Sequence, residues 1–224
     1  MNSAIIVAAG SGTRFGGEKP KQFLEICGKP LLIHTLEKFE NCAAIDEIVL
    51  ILSESEIENF RVIYAKFNLK KLAKIIAGGK TRAESVRNGI AALDKTKVKI
   101  VAVHDGARPL VSSEEITETI ERARESGAVC LVGKVTDTIK QVADGKITAT
   151  VDRENLRRAL TPQTFRMEIL QKAFASENFD AAATDECFLV EKAGFQIAYT
   201  EGSAKNIKIT TREDFAVAEM LLGK

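Results

Sequence analysis

A glycine-rich stretch, Ala8-Ala9-Gly10-Ser11-Gly12-Thr13-Arg14-Phe15-Gly16, stands close to a second one rich in cations, Lys19-Pro20-Lys21-Gln22-Phe23. Glycines after an apolar strand let backbone N–H groups approach phosphates, and the crevice beside such strand ends is where open α/β sheets take ligands. The stretch lacks the GK[ST] ending of a P-loop, and Phe15 stands where a dinucleotide fingerprint carries its third glycine. Arg14 and Lys21 add charge that can reach a triphosphate, whereas Lys19 reads as a solvated loop residue. Further on, His104-Asp105-Gly106 follows an apolar run. Asp105 there is either a ligand for a hard cation or the carboxylate of an Asx-turn before the glycine. His104 reads as a hydrogen-bonded residue at a strand end rather than an acid or base.

The elements that must position these groups are legible as short apolar runs at Ala4 to Ala8, Ile48 to Leu52, Ile100 to Val103 and Val129 to Val132, separated by segments of helical length. Such runs predict parallel strands buried on both faces. Val86, Ile90 and Leu93 share one helix face, as do Ile116, Ile120 and Ala123. The alternation predicts an α/β fold: a doubly wound, mostly parallel Rossmann-like sheet with helices on both faces. A capping box at Thr211 to Asp214 opens the last helix. The whole chain, 1–224, reads as a single domain with an inserted arm at about 137–160. There Asp144-Gly145 suits the positive φ angles of a tight hairpin turn. Ile139, Val142, Ile147 and Val151 of that hairpin need a covering surface, because a lone two-stranded ribbon is marginal in water. The reading is an arm packed on a second subunit; the alternative is a hairpin lying on its own sheet.

Lys plus Arg number 32 against 31 Asp plus Glu, so the net charge of +1 offers no bulk attraction to nucleic acid or an anionic membrane. Any anion site must be local. Cys27, Cys42, Cys130 and Cys187 show neither CxxC pairing nor a dense framework, which argues against disulfides or structural zinc and for a cytoplasmic location. The amino-terminal apolar run is short and lacks a basic region before it, which predicts neither a signal peptide nor a membrane span.

Taken together, AAGSGTRFG and PKQF resemble the signature of sugar and alditol phosphate nucleotidyltransferases. Gly78-Gly79 with Thr81 to Val86, Val103 to Pro109, Asp137 to Lys140, Val151-Asp152-Arg153, Leu160 to Gln163, Thr184-Asp185-Glu186 and Asn206 to Thr210 narrow the match. In order and over nearly the whole chain they resemble the 2-C-methyl-D-erythritol 4-phosphate cytidylyltransferase family of the non-mevalonate isoprenoid pathway; Gly106 departs from a more usual alanine. The resemblance implies that Ala8, Ala9, Gly10, Ser11, Gly12, Thr13 and Arg14, with Lys21, Gly79, Arg82, Ser85 and Asp105, hold CTP. It implies that Asp105 carries Mg²⁺ and that Arg14, Lys21, Arg153 and Lys208 serve catalysis. Asp105, Arg108, Arg153, Thr161, Thr184 and Lys208 would surround a phosphorylated polyol acceptor. It also implies a homodimer with exchanged arms, so that Arg153 and Thr161 serve the acceptor bound to the other subunit.

The chemistry agrees with that assignment. A phosphate monoester has its second pKa near about 6 and is already largely a nucleophilic dianion at neutral pH, so no general base is needed. The obstacle is bringing anion onto anion, which calls for positioning and charge neutralisation rather than covalent catalysis. Ribitol-5-phosphate cytidylyltransferase shares the CTP half and is the nearest alternative. A non-catalytic CTP-sensing module would not need Arg14 and Lys21 beside Asp105. An NAD-dependent oxidoreductase would need an acidic residue where Lys29, Pro30 and Leu31 stand.

Overall fold

The computed structural model of the protein describes residues 1–10, 15, 20–175 and 182–223. The chain opens with β1 (Asn2–Val7), a small ribbon of β2 (Glu25–Ile26) and β3 (Lys29–Pro30), then α1 (Leu31–Glu40) and β4 (Glu47–Leu52). It continues through α2 (Ile57–Tyr64), β5 (Leu72–Ala77), α3 (Arg82–Ala92), β6 (Ile100–Asp105) and α4 (Ser113–Ser126). The second half gives β7 (Ala128–Lys134), a hairpin of β8 (Ile139–Ala143) and β9 (Lys146–Val151), and β10 (Arg157–Arg166). After these come α5 (Met167–Ala175), α6 (Glu186–Lys192), β11 (Ala198–Glu201) and α7 (Arg212–Leu222).

Among the described residues the main sheet has seven strands in the order β11-β7-β10-β6-β1-β4-β5. All adjacent pairs are parallel except those of β10, which runs antiparallel to both β6 and β7. The expected doubly wound α/β sheet is therefore present, with the reversed strand as an addition. Period-two alternation feeds its two faces. Ala4 and Ile6 of β1 pack into one cluster with Leu32 and Leu36 of α1 and Ile116 and Ile120 of α4. Ile5 joins the opposite cluster with Val86 and Ile90 of α3 and Leu170 of α5. The capping box at Thr211 and Asp214 forms as its spacing predicts.

Among the described residues β8 and β9 pair only with each other, around Asp144 and Gly145 at φ 50° and 74°. Val142 and Ile147 on this ribbon are 67% and 66% exposed, so the hairpin does not lie on its own sheet. Residues Arg157 to Leu160, counted with the arm by sequence, fall in β10, and Arg157 to Ala159 pair with Lys134 to Val132. The excursion thus leaves the sheet at the end of β7 and returns beside the strand it left. No helix among the described residues is long and apolar enough to cross a membrane.

One contact fixes how closely α3 approaches the sheet. A Cβ on Gly89 would stand 2.9 Å from both Ile5 Cγ2 and Ile51 Cδ1. Gly89→Val is expected to lower the unfolding free energy by about 2 kcal/mol through overpacking. The measurement is a lower urea midpoint at unchanged m-value; a variant as stable as the parent would show that α3 has room to retreat.

Candidate active site

β1, β4 and β6 finish level with one another: Val7 pairs with both Ile51 and Asp105, and the Gly106 amide closes the edge on Val7 O at 2.8 Å. Beyond this line the loops diverge into a cleft of about 460 Å³. Ala8, Ala9 and Gly10 form one wall, Gly79, Arg82 and Ser85 another, and Lys21, Asp105 and Lys208 meet between them. The Gly79 wall comes close because Gly78 has no side chain. A Cβ there would lie 2.6 Å from Ala9 Cβ and 2.8 Å from Ser85 Oγ. Thr81 caps α3 by accepting from the Glu84 amide at 3.1 Å, while Ser85 Oγ accepts from the Gly79 amide at 3.0 Å.

Lys21 begins a 3₁₀ turn, Lys21–Phe23, that the buried Gln22 pins by donating to Ala8 O at 3.0 Å. Its Nζ donates to Ile209 O at 2.6 Å, and the Ile209 amide is held on Ala107 O, which brings the adjacent Lys208 into the cleft.

Asp105 is the electrostatic centre. Oδ1 receives Arg82 Nη2 at 3.1 Å; Oδ2 receives Lys208 Nζ at 3.0 Å and Arg108 Nε at 3.3 Å. Burial by itself would raise this carboxyl, but Arg82, Lys208 and Arg108 outweigh it and hold the group well below the usual carboxylate range. Arg82 also forks onto Glu186, Nη1 to Oε1 at 2.5 Å and Nη2 to Oε2 at 3.1 Å. Burial opposes its charge, and the two carboxylates overcome that and keep the guanidinium cationic; burial also pushes the Glu186 carboxyl up, and the forked contact with Arg82 opposes that rise.

His104 lies under the cleft, fully buried against Phe39. Its Nε2 sits 3.1 Å from Arg108 O, which can only accept, so Nε2 carries the proton and Nδ1 accepts from the Thr161 hydroxyl at 3.0 Å. Burial pulls the imidazole down to about 4, which leaves it neutral at pH 7. The structural reading of His104 holds.

The predicted residues divide. Ala8, Ala9, Gly10, Lys21, Gly79, Arg82, Ser85, Asp105 and Lys208 converge on the cleft. Ser11, Gly12, Thr13 and Arg14 lie outside the described residues. Arg108 is 8% exposed and committed to Asp105 and, through Nη1 at 2.9 Å, to Asn206 O. Thr161, expected at the acceptor of another subunit, is buried in its own chain, where its hydroxyl also accepts from the Asp105 amide at 3.1 Å. Its side chain is spent on orienting Asp105. Arg153 is exposed after the hairpin, donating to Thr136 O, and Thr184 is exposed ahead of α6; neither lines the cleft. Sequence reasoning gave no role to Gln22, Gln163 or Glu186, although all three stand inside the quoted motifs.

Among the described residues no group of three or more His, Cys, Asp or Glu side chains could hold a metal by itself. Asp105 is a single carboxylate whose oxygens already receive Arg82, Lys208 and Arg108, so a hard cation beside it would take most of its oxygens from substrate phosphates and water.

The chain matches the family model of 2-C-methyl-D-erythritol 4-phosphate cytidylyltransferase over residues 2–224. It is 41% identical over 224 residues to the Bacillus licheniformis protein of that name, covering 99% of this chain and 96% of the relative. The crystal structure of the 4-diphosphocytidyl-2C-methyl-D-erythritol synthase of Anaerococcus prevotii superposes with a TM-score of 0.83 at 32% identity, covering 100% of this chain and 98% of the other. The bifunctional IspDF of Campylobacter jejuni gives a TM-score of 0.80 at 29% identity, over 96% of this chain and 53% of that one.

The buried neutral imidazole makes stability depend on pH. His104 titrates at about 4 when folded, against 6.5 for the ordinary group. Between those values the unfolded chain binds a proton that the folded chain refuses. This contribution is complete above 6.5 and is lost as the pH falls toward 4, on the order of 3 kcal/mol in all. Urea unfolding should show most of that loss between pH 7 and pH 4.5, and His104→Gln should flatten the dependence over the same window. A parent protein equally stable at both pH values would place a charged imidazole in the core.

Proposed function

The chain belongs to the 2-C-methyl-D-erythritol 4-phosphate cytidylyltransferase family, and on that premise we propose how its cleft transfers CMP from CTP to 2-C-methyl-D-erythritol 4-phosphate in the non-mevalonate isoprenoid pathway. The observation that carries the mechanism is the convergence of Lys21, Arg82, Asp105 and Lys208 on one cleft, with the neighbouring His104 buried and neutral at pH 7. The acceptor phosphate oxygen attacks the α-phosphorus in line, the bond from that phosphorus to the bridging oxygen breaks, and pyrophosphate leaves. No proton moves in this step, because the monoester is already ionised.

Gly10, Gly79 and Ser85 carry the nucleotide, with Ala8 and Ala9 forming the wall behind it. Lys21, with Arg14, answers the charge that grows on the α-phosphoryl group, and Lys208 faces the acceptor. Asp105 would hold Mg²⁺ together with the phosphates, and the metal would supply further charge neutralisation. The unpaired thiols support a cytoplasmic setting. Arg153 reaches the acceptor of a second copy of the chain. What supports this is its place outside its own cleft, on the segment that follows a hairpin whose Val142 and Ile147 are left uncovered. Thr161 stays with its own Asp105.

The direct test is pyrophosphate release from CTP, UTP and ATP, each against methylerythritol phosphate and ribitol phosphate, with and without Mg²⁺. Turnover is expected for CTP with methylerythritol phosphate and Mg²⁺. Preference for ribitol phosphate would transfer the assignment to the ribitol enzyme, and CTP binding without turnover would leave a sensing module.

The shared site has its own test. Lys21→Ala and Arg153→Ala proteins, each inactive, are mixed under conditions in which subunits exchange. If Arg153 acts across the interface, a mixed dimer has one site with both defects and one with neither, and activity returns to as much as about half per mixed dimer. Mixtures that exchange and remain inactive would assign Arg153 to its own subunit.

A further inference from the structure

We propose that Glu186, at the start of α6, is a positioning residue that sets where Arg82 presents its charge to the nucleotide and acts on CTP only through Arg82. The proposal rests on the reading that this cleft takes CTP. Its first support is geometric. The Glu186 side chain is 1% exposed beneath the cleft, while that of Arg82 is 22% exposed and forms part of the wall. The fork between them fixes both the position and the plane of the guanidinium, which a single contact would not.

The second support is how firmly Glu186 is itself held. Its amide and that of Cys187 both donate to Gln163 Oε1, at 3.0 and 2.9 Å. Gln163 Nε2 donates to Asp185 Oδ2 at 3.0 Å, while Asp185 Oδ1 caps α6 by accepting from the Phe188 amide at 2.9 Å. The start of α6 is thereby pinned to β10, the same strand whose Thr161 holds Asp105. One strand sets the relative positions of the two carboxylates that share Arg82.

A buried ion pair is weak evidence for stability, since desolvation offsets most of its attraction. Position is the more direct consequence. Without Glu186, the one carboxylate left to Arg82 in this network is Asp105, already occupied by Lys208 and Arg108. Arg82 would keep its contact with Asp105 and lose the fork that fixes its plane, so the cleft would present a cation without a set position or angle.

The experiment is a double-mutant cycle on CTP turnover and on CTP binding by calorimetry. Glu186→Gln keeps the shape and removes the charge; it is expected to raise the KM for CTP about tenfold while changing kcat by less than about threefold. Glu186→Asp keeps the charge one methylene shorter and should recover part of the loss. In an Arg82→Ala background, Glu186→Gln should add less than about a twofold change, because the residue it acts through is gone. A Glu186→Gln protein with parental KM and CTP affinity, or one whose loss persists undiminished without Arg82, overturns the proposal. Turnover by the parent in the same assay keeps the activity itself a separate question. Circular dichroism establishes that each variant is folded, and if Glu186→Gln is not, Glu186→Asp carries the same cycle with the same two outcomes.

Discussion

A cleft that receives two anionic reactants must keep cations close together before either arrives. Two unit charges roughly 4 Å apart interact by about 4 kcal/mol at an effective dielectric of roughly 20, so Arg82, Arg108 and Lys208 would drive one another out without a counter-charge. Asp105 supplies it; burial works against its charge, and Arg82, Lys208 and Arg108 together outweigh that and hold the carboxyl well below the usual carboxylate range. Much of the surrounding structure keeps that one carboxylate in place. The Asp105 amide is tied to Thr161, and Thr161 to a neutral His104. Asn206 donates to Thr161 O and accepts Arg108 on its own carbonyl. A charged His104 would add repulsion to this cluster, and burial prevents it.

The reversed strand explains how a parallel sheet accommodates such a centre. Both its ladders are antiparallel, and its pairing with β7 shifts register between Ala159 and Gln163, where Pro162 has no amide to give. Around that break its side chains serve the site rather than the core: Thr161 toward Asp105, Gln163 toward the start of α6. The hairpin leaves and returns between the neighbours β7 and β10. It can therefore project from the sheet without interrupting either ladder that braces Asp105.

This arrangement separates what the sequence could disclose from what it could not. The runs that became β1, β4, β6 and β7 were legible because both their faces are buried, so that composition alone marks them. Thr211 with Asp214, and Asp144 with Gly145, were legible because caps and tight turns are decided within a few residues. β10 was not, since a proline in mid-run argues against a central strand and its register is set by β6 and β7, distant in sequence. Arg108 and Thr161 have the chemical types of substrate ligands, and the sequence shows the type. Whether a guanidinium or hydroxyl is already consumed depends on neighbours such as Asn206 and His104, which only the fold brings near. Glu186 is the converse case: in sequence it is one acidic residue at a helix start, and its meaning comes from Arg82, 104 positions away.

The local character of the charge also bears on how substrates are captured. With a net charge of +1 the protein as a whole exerts almost no long-range pull on CTP. The field of Lys21, Arg82 and Lys208 is partly cancelled by Asp105 and Glu186, and beyond about 8 Å salt at physiological strength screens what remains. Attraction is thus confined to the cleft, where the walls displace water and each charge counts for more. Selectivity among anions must then come from fit: from the narrow wall that Gly78 allows beside Ala9, and from a guanidinium held at a fixed angle. A cluster neutralised from within can remain folded while empty and still present cations when an anion enters. That follows because its carboxylates lie beneath the cations: Glu186 and Asp105 have side chains 1% and 9% exposed, against 22% for Arg82 and 37% for Lys208.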